Sequence, residues 1–203
     1  MNKTQIIIII LFLLLPSFKS GENQNHLPKY KIDRSIKKEV RKNTESINGV
    51  PVGNVEMRMF EDDSLIFDNF GEIEKGQLMF MPAWNQDVVE IIGFAGFAVA
   101  LGFYLDLYKD NYELTYLTKC DSEIYKYNQQ DNTLLFKLSV PCSYTSCTLT
   151  SKPVFTEGNT ISGIVELKSN DFWQVANGRE NKYRVELKAY FSLPLRWSEY
   201  NSY

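Results

Sequence analysis

Histidine is almost missing from this sequence, and that narrows the chemistry open to it. His26 is the only one, and it falls in a polar stretch ahead of any apolar pattern. Ser-His-Asp and Cys-His nucleophile systems need an imidazole base held by a folded scaffold, and most zinc sites draw on several His or Cys ligands. No glycine-rich phosphate loop or calcium-loop pattern is present. The residues therefore nominate no catalytic group, no metal ligand and no cofactor.

Cys120, Cys142 and Cys147 are the three cysteines. In an exported chain an odd count means one disulfide and one spare thiol. Along a single extended strand Cys142 and Cys147 would lie about 16 Å apart, against the roughly 5.5 Å that a disulfide spans. They can bridge only across a turn, and Ser143 to Ser146 would make a four-residue hairpin loop. The favoured pairing is Cys142–Cys147; the rival is Cys120 with one of the other two. No base lies beside any of them in sequence, so a staple is the expected role, not a nucleophile.

Carboxylates are plentiful, and glycoside hydrolysis needs only two, about 5 Å apart for retention and farther for inversion. Glu61, Asp62 and Asp63 cluster near a turn, and Glu72 and Glu74 would share a strand face. Both groups read as solvated surface, with weak calcium binding as the next reading. Tryptophan offers the more natural contact chemistry. Trp84, Trp173 and Trp197 all border polar residues, where an indole can stack on a sugar ring or simply lid a core. These three are the expected binding residues, and Trp197 with Tyr200 and Tyr203 forms an aromatic tail beyond Pro194.

The elements that must position these groups follow from the periodicity. Lys3 followed by the apolar run Ile6 to Leu15 reads as a signal peptide over residues 1–20. Ten apolar residues are too few to cross a bilayer, so the mature chain is expected to lack a transmembrane span. Residues 21–49 form a basic spacer. Residues 21 to 50 carry seven basic and four acidic side chains, and Asp33 would cap a thin helical stripe through Ile36 and Val40. The expected form is mainly a solvated tether.

From Val50 the period becomes two. Tyr183, Val185, Leu187, Ala189, Phe191 and Leu193 share a face after the turn signal Asn177-Gly178. Leu134, Phe136, Leu138 and Val140 alternate likewise, as do Ile161, Gly163, Val165 and Leu167. Between Val88 and Tyr108 the odd positions from Val89 to Leu107 are apolar or Gly, which favours strands turned or bulged at a glycine over a buried helix.

The expected fold is therefore an all-β antiparallel sandwich over residues 50–195, with a closed β-barrel as alternative and an aromatic tail at 196–203. Residues 51 to 203 carry 13 basic and 21 acidic side chains, which argues against a nucleic-acid partner. The function expected is a non-enzymatic binding module with a protein or glycan partner, secreted, periplasmic or at the cell surface. A carboxylate-based glycan hydrolase and a structural component of a surface assembly are the alternatives.

Overall fold

The computed structural model describes residues 26–72, 75–96 and 99–195. The leader, Glu74, Trp197 and the aromatic tail lie outside the described residues. Within them strand dominates, in one large mixed sheet that does not close into a barrel. The strands are β1 (Lys31–Ile32), β2 (Thr44–Ile47), β3 (Val50–Glu61), β4 (Ser64–Asp68), β5 (Gly76–Trp84), β6 (Val89–Ala95) and β7 (Val99–Leu107). They continue with β8 (Tyr112–Cys120), β9 (Tyr125–Lys126), β10 (Lys137–Val140), β11 (Cys142–Leu149), β12 (Thr160–Ser169), β13 (Phe172–Ala176) and β14 (Arg179–Pro194). The main order is β1-β11-β12-β14-β3-β5-β6-β7-β8-β10. All pairs are antiparallel except β1 with β11.

The closed-barrel alternative fails at one place. β10 pairs with β8 and β11 pairs with β12, yet only Pro141 separates the two strands. The same stretch of chain thus changes partners at a residue that has no N–H to give a ladder, and a register shift at Cys142/Tyr144 follows. The two ends of the sheet are joined by this covalent corner and not by hydrogen bonds, as where a strand switches sheets at a bend.

The period-two faces account for the core. Val185, Leu187, Ala189, Phe191 and Leu193 of β14 are all at most 1% exposed. They meet Val165 and Leu167 of β12 and, from the other end of the order, Ile91, Phe103 and Leu105 in one cluster. The Val88 to Tyr108 stretch is a strand pair, β6 and β7, with Gly96 in the left-handed region (φ 90°) where the chain leaves β6. The expected face through Leu134 and Phe136 is shorter than the alternation suggested. The ladder begins only at Lys137, and Phe136 is 47% exposed.

The spacer is not a solvated tether from end to end. Asp33 does cap, accepting from the Ser35 N–H at 2.8 Å, but it caps a 3-10 turn, Arg34–Ile36, that leads into α1 (Lys37–Lys42). Val40 is 2% exposed because it packs on Ile164 of β12 and Tyr190 of β14. The Tyr190 hydroxyl donates to Glu39 at 2.9 Å and reaches Glu56 at 3.3 Å. Lys188 sits over the Tyr190 ring and pairs with Glu39 at 3.5 Å, and Lys75 pairs with Glu56. Burial alone would raise the Glu56 carboxyl, but the Lys75 ammonium and the Gly71 N–H outweigh it and leave it below its ordinary range.

Candidate functional site

β11, β12, β14 and β3 turn their non-core positions outward in register. One row runs Tyr144, Lys168, Glu186, Arg58 and Asp68; the next runs Ser146, Glu166, Lys188 and Glu56. Signs alternate both across the strands and along them, since Glu166 and Lys168, or Glu186 and Lys188, share a strand two residues apart. Lys168 pairs with Glu186 at 3.1 Å, and Arg58 with Asp68 at 3.0 Å and Glu186 at 3.8 Å. Opposite charges directly across a ladder are favourable, and each exposed pair contributes only a few tenths of a kcal/mol, about 0.2–1. The pattern leaves this face electrically balanced.

Two open grooves lie on it. One of about 310 Å³ has Phe70 and Tyr144 at its sides and Glu166, Lys168, Glu186 and Lys188 in its floor. Tyr144 is 53% exposed at the β11 irregularity, and the Arg58 guanidinium lies 4.5 Å from the Phe70 ring centre. The other, about 600 Å³, is lined by Ile32, Ile36, Ile164 and Glu166 among others and runs toward β1 and α1. Glu166 lines both, so the two grooves adjoin at that residue and together make the trough of this face.

A second cluster sits on β6, β7 and β8. Glu90, Asp106 and Glu113 are cross-strand neighbours in one row. Glu90 is 7% exposed, and its carboxyl is pushed up to about 7, first by burial and then by the Asp106 carboxylate. Tyr108 is pushed up to about 12 by burial and by Asp106, Glu113 and Glu90. Like charges directly opposite destabilise a ladder. Among the described residues no three His, Cys, Asp or Glu gather as a metal cluster.

The raised Glu90 carboxyl carries a signed consequence. Between its unfolded value, near 4.5, and about 7 the folded chain holds a proton that the unfolded chain has released, so stability falls as pH rises through that window. Glu90→Gln removes the penalty. The variant is expected to be about 1–3 kcal/mol more stable than the parent at pH 8 and equal to it at pH 4. Thermal melts at the two pH values check this, and an equal difference at both would refute it.

The residues expected from sequence are dispersed. Trp84 ends β5 opposite Val89 and packs partly buried against the main core. Trp173 lies in β13 between Lys182 and Lys126. Trp197 lies outside the described residues. The Cys142–Cys147 disulfide is a correction: Ser143 to Ser146 are strand, not loop, and the two cysteines share β11 about five residues apart, beyond disulfide reach. All three thiols are free. Burial pushes Cys142 up to about 11 and Cys147 up to about 12, which makes them poor nucleophiles.

The Glu61–Asp63 cluster is likewise taken up within the fold. Tyr183 donates to Glu61 at 2.6 Å, and the Lys182 ammonium and backbone N–H bind Asp63 and Asp62 at 2.8 and 2.9 Å. Glu72 is exposed.

Comparison with protein-family models, curated proteins and solved structures finds no match. Function therefore rests on the geometry alone. Among the described residues no helix is long and apolar enough to cross a membrane.

Proposed function

We propose that this chain is a non-enzymatic binding module, exported by its leader and working at the cell envelope or outside the cell, with the sheet folded over its core as a sandwich. The observation that carries this reading is the trough: in its smaller groove the exposed Tyr144 and the half-buried Phe70 stand beside a charged floor on β12 and β14. A binder needs aromatics beside polar groups in a groove, whereas a hydrolase needs its carboxylates there. Two carboxylates do stand in the trough, Glu166 and Glu186, but Glu186 is held by Lys168 at 3.1 Å and Arg58 at 3.8 Å. The carboxylates directly opposite each other across a ladder lie on β6 to β8, at the far end of the strand order.

The hydrolase reading has one observation in its favour. Glu90 and Asp106 face each other across a ladder with Glu90 raised near neutrality, the arrangement in which one acid can hold a proton and the other not. Assembly has β4, whose Leu65, Ile66 and Phe67 are each 45–52% exposed. That edge is blunted by the Met59/Phe60 register shift and by Asp62, Asp63 and Asp68 around it.

One experiment separates the first two. The chain is incubated with insoluble envelope polysaccharides and with soluble surface proteins, and both retention and new reducing ends are measured. Retention without new reducing ends is expected. Release of reducing ends that is abolished in Glu90→Gln would overturn the binding reading in favour of hydrolysis.

A further inference from the structure

Resting on the binding reading, we infer that the trough takes an uncharged oligosaccharide, seated between Tyr144 and Phe70 on the charge-balanced floor of Glu166, Lys168, Glu186 and Lys188. The class of ligand follows from three features. The first is the charge of the floor: two carboxylates and two ammonium groups in alternating positions cancel. An anionic or cationic ligand meets as much repulsion as attraction there and must also break the Lys168–Glu186 pair, 3.1 Å. An uncharged ligand meets neither obstacle.

The second is hydrogen-bonding character. Carboxylates only accept and ammonium groups only donate. Set about 4.8 Å apart on neighbouring strands, they present acceptor and donor in turn. A sugar hydroxyl does both, so a ring carrying several of them can bond to both kinds of neighbour without breaking the Lys168–Glu186 pair. A peptide offers its donors and acceptors at the fixed spacing of a backbone and would find a sheet face, not a sheet edge, which is where extended peptides add.

The third is the walls. Tyr144 is 53% exposed although it is an aromatic residue on an otherwise charged face, and Phe70 stands on the other side of the same groove. Flat ring faces stack on the C–H face of a sugar while its hydroxyl edge turns to polar groups. Arg58 lies 4.5 Å from the Phe70 ring centre and ties it toward Asp68 and Glu186, so the wall is held in place before a ligand arrives. A volume of about 310 Å³ is at the lower bound for a ligand site, and a second groove of about 600 Å³ adjoins it at Glu166. A chain of sugar rings fits that shape better than a single ring.

The test uses the whole chain against neutral hexasaccharides built from glucose, mannose or N-acetylglucosamine, against their uronic-acid and sulfated counterparts, and against a basic and an acidic peptide, by calorimetric titration. At least one neutral hexasaccharide is expected to bind, with an affinity unmoved by added salt. Tyr144→Ala should weaken it about tenfold or more, and Tyr144→Phe should restore it, because the ring face and not the hydroxyl does the stacking. Tyr144 is exposed, so the alanine variant keeps its melting temperature, and Phe70→Leu supplies a second site on the opposite wall.

Binding of only charged sugars or peptides, or of none, overturns the inference. So does neutral-sugar binding that neither Tyr144→Ala nor Phe70→Leu disturbs. A charged or peptide ligand, or a sugar bound elsewhere, would leave the chain a binding module with a different ligand or site, whereas turnover of the sugar would overturn the binding reading itself.

Discussion

Replacing Phe172 with alanine is expected to lower the unfolding free energy by about 3–5 kcal/mol, the range for deleting a buried ring. Phe172 is 2% exposed at the centre of three tyrosines, its ring 5.7 Å from Tyr116, 6.3 Å from Tyr125 and 5.9 Å from Tyr183. Each aromatic pair adds roughly 0.5–1.5 kcal/mol beyond burial, and those pairs join β8, β9, β13 and β14. The loss is therefore spread across four strands with no neighbour free to collapse into the gap. Urea unfolding checks it: the midpoint should fall with little change in slope. A loss under about 1 kcal/mol would mean that the ring is not the keystone of this cluster.

Gly53→Ala is expected to cost more than that and to remove the cooperative fold altogether. A methyl group on Gly53 would stand 1.8 Å from the Tyr190 carbonyl oxygen and 2.8 Å from the Phe80 ring. The first neighbour is backbone and cannot rotate aside, so β3 would have to part from β14 just where the pairing on that edge passes from β14 to β2. Gly49→Ala is the matched control. It is strained by its positive φ of 84° but meets nothing within 4 Å, and the expected cost is only about 1 kcal/mol. Circular dichroism melts of both variants decide the matter: a cooperative melt for Gly53→Ala near that of the parent would contradict the close approach.

The strands that were plain in the sequence are those with one face on the core. In β12 and β14 the alternation from Ile161 and from Val185 survives intact because every second residue meets the same apolar cluster. β6 and β7 could be told from a helix by parity, since Glu90, Tyr104 and Asp106 all fall on even positions. What stayed hidden depended on partners far along the chain. The stripe of Ile36 and Val40 is too thin to announce packing, and the surface that makes it worthwhile, Ile164 with Tyr190, comes from β12 and β14.

The trough was hidden for the same reason. Tyr144 and Phe70 belong to different ladders and become neighbours of one groove only through the order of the strands. The tryptophans drew attention by residue type, but Trp84 is used to pack against the core. The carboxylate row left a faint trace, as single acids interrupting apolar runs at Glu90 and Asp106, yet nothing in the spacing says that β6 and β7 pair with those two opposite. The cysteine hairpin failed because Ser143 to Ser146 read as turn residues, while Tyr144 and Thr145 are also good strand formers and β12 supplied the ladder.

β14 lies in the middle of the sheet although it closes the described chain, pairing with β3 on one side and β12 on the other. During synthesis, then, β3 and β12 both wait for the same late strand. The ladders that join the two halves of the sheet can form only once residues 179–194 are free to pair, which makes their closure a non-local and therefore slow step.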